Sequence, residues 1–339
     1  MSLDKKINVA IIGVGRIGSI HFKNLKSNDS VNIKYLCDIA ADDSWKKKYE
    51  GYTVITDYEE VLSDSSVDAV LICTPTDLHP AMVSAAAKAG KNIFCEKPLG
   101  FDMNEILNSY EDVKKSNIIM GVGFNRRFDK NFYRIVEHRQ LGNIGEPQVL
   151  KITSRDPEPP SIDYVKHSGG LFMDMMIHDF DMARFIPDHE ITEVYATGAN
   201  LIDPAIADAG DIDTAIVTLT YDNGMIGVID NSRQAVYGYD QRIELFGSKG
   251  MAKANNVNDT TTEYYSSEDV QSDKPMFFFL QRYMDAYKSE IEQFISLVEG
   301  KEIGDRVLGS YEDGIKAIKL AEAAAKSLRD KKPVKIEDL

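Results

Sequence analysis

The chain is short of cysteine, of tryptophan and of positive charge, and it has no long apolar run. Its 339 residues include three cysteines, Cys37, Cys73 and Cys95, and one tryptophan. Each cysteine stands near the end of an apolar stretch. An odd count without paired spacing excludes a disulfide framework and a zinc-ligand pattern, so buried, reduced thiols are expected. No run reaches the roughly 18 apolar residues of a membrane-crossing helix. The opening residues, Met1 to Lys6, lack a signal-peptide core. Lys and Arg number 39 against 54 Asp and Glu, a net charge of −15. Nucleic acids and anionic membranes are bound through clustered cations, so neither is an expected partner. An acidic cytoplasmic protein is expected. Its length predicts two domains, and its 43% hydrophobic content provides for a sizeable core.

Strand and helix patterns alternate up to residue 124. Ile7–Ile12 is a short apolar run ending in Gly13, and Arg16–Ser27 reads as a helix. Val31–Cys37 ends at Asp38, and Val67–Cys73 is apolar almost throughout, as befits a strand buried on both faces. An Ala-rich helix, His79–Ala89, stops at Gly90. Asn92–Cys95 is another strand, Asp102 to Glu105 forms a capping box opening a helix to Lys115, and Ile118–Val122 closes the series. Repeated βα units predict a doubly wound parallel sheet over residues 1–124.

From residue 125 to 339 the pattern changes to an α+β domain with an open, largely antiparallel sheet. Its strands are predicted at Gln148–Ser154, Ile191–Thr197, Thr214–Thr220, Met225–Asp230 and Arg242–Phe246, with hairpin signals at Asp222-Asn223-Gly224 and Gly247–Gly250. Residues 255–275 are polar and read as an excursion loop. Two helices, near 276–298 and 311–329, end the chain, the last one expected to pack back on the first domain.

Gly13-Val14-Gly15-Arg16-Ile17-Gly18 matches G-x-G-x-x-G in its required context, after a strand and opening a helix. Gly13 allows the turn, Gly15 lets a pyrophosphate approach the backbone, and Gly18 permits close packing of helix on sheet; Arg16 and Ile17 offer their backbone at the helix N-terminus. Asp38, twenty residues after Gly18, can accept from ribose hydroxyls and would repel a 2′-phosphate, which favours NAD over NADP. Thr74 and His79 follow the next buried strand, where an open α/β sheet binds its ligands. His79 reads equally as an ordinary residue of the helix start.

Ser168-Gly169-Gly170 then opens a segment with Asp174 and His178 four residues apart. On a helix that spacing puts both on one face, where a carboxylate can fix the tautomer of an imidazole and raise its basicity. By themselves the two could be a helix-start pair without chemistry. Asp179 and Asp181 lie close by, but Asp179 cannot share a helix face with both others, so no metal is expected. Met173, Met175 and Met176 read as packing.

Cys95-Glu96-Lys97-Pro98, together with the glycine motif, resembles the Gfo/Idh/MocA oxidoreductases. Gly169 to Phe185 is similar to the corresponding stretch of that family's inositol 2-dehydrogenase group. The resemblance covers the whole chain. It implies catalytic roles for Lys97, Asp174 and His178, a cis peptide bond before Pro98, and cofactor contacts from Glu96, Lys97 and Asn125. Arg127 in Gly123–Phe128 matches a substrate or cofactor contact, and Asp156 in Ser154–Pro157 and Tyr239 in Tyr237–Asp240 match its substrate contacts. Some inositol dehydrogenases carry His and Asn where this chain has Ser154 and Asp156, which leaves the isomer open. The resemblance implies oxidation of myo-inositol to the 2-keto inosose with NAD, His178 as base and Lys97 on the alkoxide oxygen, in a homotetramer formed through the sheet of the second domain. The alternatives are scyllo-inositol or another cyclic polyol or sugar as substrate, a non-catalytic NAD-binding regulator, and an NAD-assisted glycoside hydrolase or lyase.

Overall fold

The computed structural model describes residues 6–305 and 307–339; the reading of Met1 to Lys5 falls outside them. The chain divides into two compact units, one running to Phe128 and including Asp285–Ile315, the other comprising Asp129–Met284 and Lys316–Leu339. The sequence reading placed the boundary at 124/125 and everything beyond it in the second domain. The structure returns Asp285–Ile315 to the first unit because Ile291, Phe294, Ile295 and Leu308 pack in one core with Val9, Leu36, Leu71 and Phe94.

The first unit is built on a six-stranded sheet, ordered β3-β2-β1-β4-β5-β6. The strands are β1 (Ile7–Ile12), β2 (Val31–Cys37), β3 (Thr53–Ile55), β4 (Ala69–Ile72), β5 (Asn92–Cys95) and β6 (Met120–Val122), all parallel. This is the doubly wound order, and the direction of winding reverses between β1 and β4, where such sheets bind their ligands. The apolar sequence of β4 is explained by its position: every residue of Ala69–Ile72 is buried. Asp102 caps the Met103–Lys115 helix, accepting from the backbone N–H of Asn104 and Glu105, which satisfies donors that have no partner within the helix.

The second unit carries a seven-stranded sheet ordered β12-β11-β7-β10-β9-β8-β15. Its strands are β7 (Pro147–Arg155), β8 (Ile191–Ala199), β9 (Thr214–Tyr221), β10 (Ile226–Ser232), β11 (Asp240–Gly247), β12 (Met251–Ala254) and, near the C-terminus, β15 (Val334–Lys335). Every neighbouring pair is antiparallel except β7 and β10, which run parallel. Alternation along β9 buries Ala215, Val217 and Leu219 and exposes Ile216, Thr218 and Thr220, so one face of the sheet packs and the other does not. Gly224, at φ +83°, makes the turn between β9 and β10, as the Asp-Asn-Gly signal predicts. Within the predicted excursion, β13 (Glu263–Tyr265) and β14 (Val270–Ser272) form a separate hairpin. The helix expected near 276–298 divides into Phe279–Arg282 and Met284–Val298.

Candidate active site

In the first unit the candidate residues collect at the carboxyl ends of the strands. Gly13 follows β1 at φ +86°, and a Cβ on it would lie 2.7 Å from the Cys73 carbonyl. A Cβ on Gly18 would lie 2.0 Å from the Gly13 oxygen. Both glycines are therefore required by backbone packing. Gly15 is not: a Cβ there would meet no protein atom within 4 Å. The Arg16–Lys26 helix that it opens has no side-chain cap and no acidic residue in its first turn. A bare, positive helix end behind a glycine without an internal packing role fits the pyrophosphate of a dinucleotide.

Asp38 is half-buried at the end of β2. Its Oδ2 accepts from the Val14 N–H at 2.8 Å and its Oδ1 from the Ala40 N–H at 2.9 Å, so the carboxylate braces the glycine turn while each oxygen keeps a lone pair for a ribose hydroxyl. Arg16 is exposed and Ile17 half-buried beside the turn. Thr74 follows β4, its hydroxyl 3.5 Å from the Met82 sulfur. His79 is buried, with Nδ1 2.7 Å from the Pro98 carbonyl and Nε2 2.9 Å from the Thr74 carbonyl. It ties the loop after β4 to the loop after β5. Burial pulls its imidazole below the ordinary range, against the upward pull of the two carbonyls.

Lys97 follows β5, half-buried, and its bond to Pro98 is cis, as the family resemblance implies. Glu96 turns to His21, with Oε1 2.7 Å from the His21 Nε2, and Gly123 lies against its carboxylate, where a Cβ would fall 2.9 Å from Oε2. Asn125 and Arg127 are both buried. The Arg127 guanidinium pairs with Asp313 at 3.2 Å and lies over the Phe124 ring. The three thiols are free, and burial pushes that of Cys37 up to about 12 and those of Cys73 and Cys95 well above the usual range.

A residue that the sequence reading passed over lies close to Glu96. Glu290 is fully buried, neither of its carboxyl oxygens has a hydrogen-bond partner, and one of them lies within 4.8 Å of a His21 ring nitrogen and a Glu96 carboxylate oxygen. Burial, then repulsion from Glu96, push its carboxyl well above the usual range, so the folded chain holds it protonated. The signal was available: Glu290 sits three residues after Tyr287 and four before Phe294, on the apolar stripe of its helix.

The consequence for stability has a definite sign. Below about pH 4.3 the carboxyl is protonated folded or unfolded. Above that pH the unfolded chain ionises while the folded chain keeps its proton, and stability falls by about 1.4 kcal/mol per pH unit until the folded group ionises too. Glu290→Gln removes this slope. The variant is expected to gain on the parent as pH rises from 4 to 8, the gap closing towards pH 4, as denaturant melts across that range would show. A deficit in the variant that grows as pH rises from 4 to 8 would mean that the folded chain holds the carboxyl ionised.

In the second unit, the parallel run of β7 and β10 brings their carboxyl ends to one edge of the sheet. Asp156 follows β7 and Arg233 follows β10, with the Asp156 N–H donating to the Ser232 carbonyl at 3.0 Å. Tyr239 precedes β11, whose first residue, Asp240, pairs with Arg155, so it reaches the same edge; it is buried, edge-on to Tyr283. Behind this edge a polar row crosses the buried face. Ser154 donates to Gln241 at 3.0 Å, and Asn231 donates to Asp179 at 2.9 Å. The second bond anchors to the sheet the helix that carries His178.

Asp174 and His178 do not share one continuous helix. Asp174 ends the Gly170–Asp174 helix and His178 is the second residue of the Ile177–Phe185 helix. The Leu171 carbonyl accepts from both Met175 N–H, at 3.1 Å, and Met176 N–H, at 2.9 Å. The extra residue in the second loop widens the turn and breaks the register that spacing alone presumes. Asp174 accepts from Tyr164 Oη at 2.8 Å and from Arg233 Nη1 at 3.1 Å. Asp179 and Asp181 are buried.

The chain resembles known proteins over nearly its whole length. Residues 7–124 match the NAD-binding Rossmann fold of the oxidoreductase family, and residues 133–253 match the GFO/IDH/MocA C-terminal domain. The chain is 50% identical to an uncharacterized oxidoreductase of Bacillus subtilis, with 99% of this chain and 98% of the relative covered. It is 46% identical to the myo-inositol 2-dehydrogenase of Thermotoga maritima, with 98% and 99% covered. Among solved structures, the scyllo-inositol dehydrogenase of Lactobacillus casei with bound NAD(H) and scyllo-inositol superposes with a TM-score of 0.89 at 28% identity, covering 98% of this chain and 100% of that one. The chain belongs to the Gfo/Idh/MocA oxidoreductases and is an NAD-dependent dehydrogenase of the inositol 2-dehydrogenase kind.

Proposed function

We propose that the chain oxidises myo-inositol to 2-keto-myo-inositol, with His178 as the base. A secondary alcohol becomes a ketone when its C–H leaves as hydride and its O–H as a proton. NAD, when bound, supplies the hydride acceptor. Gly13, Gly15, Gly18 and Asp38 would hold it. His178 takes the hydroxyl proton, Lys97 donates to the oxygen as negative charge grows on it, and Asp174 orients the proton transfer. Asp156 and Tyr239 hydrogen-bond the remaining ring hydroxyls. A polyol offers few apolar atoms, so an isomer is rejected by leaving such polar groups unpaired.

The observation that carries the reading is the polar edge of the second sheet, where Asp156, Arg233 with its bound Asp174, and Tyr239 converge. A polyol is a chemically suitable occupant for so many polar groups. The similarity to a myo-inositol 2-dehydrogenase at 46% identity favours myo-inositol over the scyllo isomer. The test is NADH formation with NAD and a panel of myo-inositol, scyllo-inositol and glucose. Myo-inositol is expected to give the highest kcat/KM, and NADP to replace NAD poorly because of Asp38. A preference for scyllo-inositol or glucose would overturn the substrate, and NAD binding without turnover of any polyol would favour a regulator.

We also propose a homotetramer formed through the unpacked face of the second sheet, where Tyr195, Ile216, Ile226 and Phe246 are exposed; sedimentation at micromolar concentration reads the assembly. Use of NAD and three free thiols suit the cytoplasm.

A further inference from the structure

We propose that Arg233 is the positioning residue of the proton-transfer site, and that with Asp211 it brackets the short helix that ends in Asp174. The inference rests on the assignment of Asp174 to proton transfer. Arg233 is 1% exposed, and its guanidinium stays charged at any working pH. Nη1 reaches Asp174 Oδ2 at 3.1 Å and Nη2 reaches Asp211 Oδ2 at 3.5 Å. Burial would weaken its hold on the proton, but the attraction of Asp174 and Asp211, with Asp156 behind them, outweighs it. The backbone of Arg233 is fixed in turn, its N–H donating to the Asp213 carbonyl at 2.8 Å.

The two aspartates hold opposite ends of one helix. Asp211 Oδ1 accepts from the Leu171 N–H at 3.0 Å, in the first turn of Gly170–Asp174. A Cβ on Gly170 would lie 2.8 Å from that same oxygen, and Gly170 is at φ +83°. The second glycine of the Gly169-Gly170 pair is therefore the residue that admits Asp211. At the other end, Asp174 has Oδ2 on Arg233 and Oδ1 on Tyr164, 2.8 Å from its hydroxyl. A carboxylate fixed at both oxygens cannot rotate about its last bond, so the lone pairs it turns to other partners have a set direction. The helix is only five residues long and would fray without such ties. Arg233 thus acts through Asp174, without touching the reacting atoms.

The test is a double-mutant cycle in the full-length enzyme, read by steady-state kinetics, NAD binding and thermal melting. Arg233→Lys keeps the charge but cannot span both carboxylates; Arg233→Met keeps the bulk and loses the charge. Asp174→Asn alone is expected to lower kcat by about 10²-fold or more. Arg233→Lys is expected to lower kcat about 10-fold and Arg233→Met about 10²-fold, both with NAD affinity unchanged. On the Asp174→Asn background, either Arg233 change should then cost little more, because the residue it positions is already disabled. Should Arg233→Met not fold, Arg233→Lys carries the cycle alone. A folded Arg233→Lys enzyme with parental kcat, or losses that multiply fully with Asp174→Asn, would overturn the positioning role. Parental activity in Asp174→Asn would instead overturn the assignment of Asp174, a separate failure.

Discussion

With asparagine at position 178, kcat for inositol oxidation is expected to fall by about 10²–10⁴-fold, with NAD binding little changed. Oxidation of a secondary alcohol at neutral pH needs a proton acceptor in the same step that releases hydride. Imidazole is the side chain best matched to that task, being neutral and basic near working pH. His178 is half-buried at the start of the Ile177–Phe185 helix. Its neighbour Asp179 ties that helix to Asn231 of β10 at 2.9 Å, so the ring is carried by a helix docked on the sheet. Asparagine keeps a polar group of similar reach and removes the base. The expected signature is a lost kcat with KM nearly retained, because the ring acts on the transition state more than on bound substrate. The acidic limb of the parent pH profile, where an imidazole base becomes protonated, should disappear from the variant. A kcat loss below 10-fold would assign the proton to another group.

Much of the fold was legible because it depends on local patterns. The β4 run is apolar throughout because both faces of that strand are covered. Asp102 announces its helix and caps it, and Asp222-Asn223-Gly224 turns between β9 and β10. The glycine motif was legible for the same reason: Gly13 and Gly18 answer to backbone atoms nearby, Cys73 apart. What the sequence hid depends on distant pairings. Arg233 and Asp211 stand 59 and 37 residues from Asp174, and only the parallel register of β7 and β10 brings Arg233 to the same edge as Asp156. The break in the helix between Asp174 and His178 was hidden for a more local reason. Spacing assumes an unbroken helix, and a shared acceptor at Leu171 breaks this one. The role of the Gly169-Gly170 pair was likewise hidden until Asp211 was seen to occupy the space a Cβ at Gly170 would need.

Replacing Lys97 by methionine is expected to lower kcat/KM by about 10²–10³-fold. As hydride leaves the ring carbon, the hydroxyl oxygen passes through an alkoxide-like state on its way to a ketone. A cation directed at that oxygen stabilises the transition state more than the alcohol, so the loss should appear in kcat as well as KM. The fold holds Lys97 between two anchored neighbours. Glu96 is tied to His21 at 2.7 Å on one side, and the Pro98 carbonyl is tied to His79 at 2.7 Å on the other. Its backbone position is therefore set by buried groups, while the half-buried side chain extends from a fixed point. Methionine preserves the length and packing of the stem, so the melting temperature should barely move. Arginine preserves the charge but spreads it over a planar fork, and is expected to recover only part of the activity. Full activity in Lys97→Met, with the fold intact, would remove the lysine from the reaction.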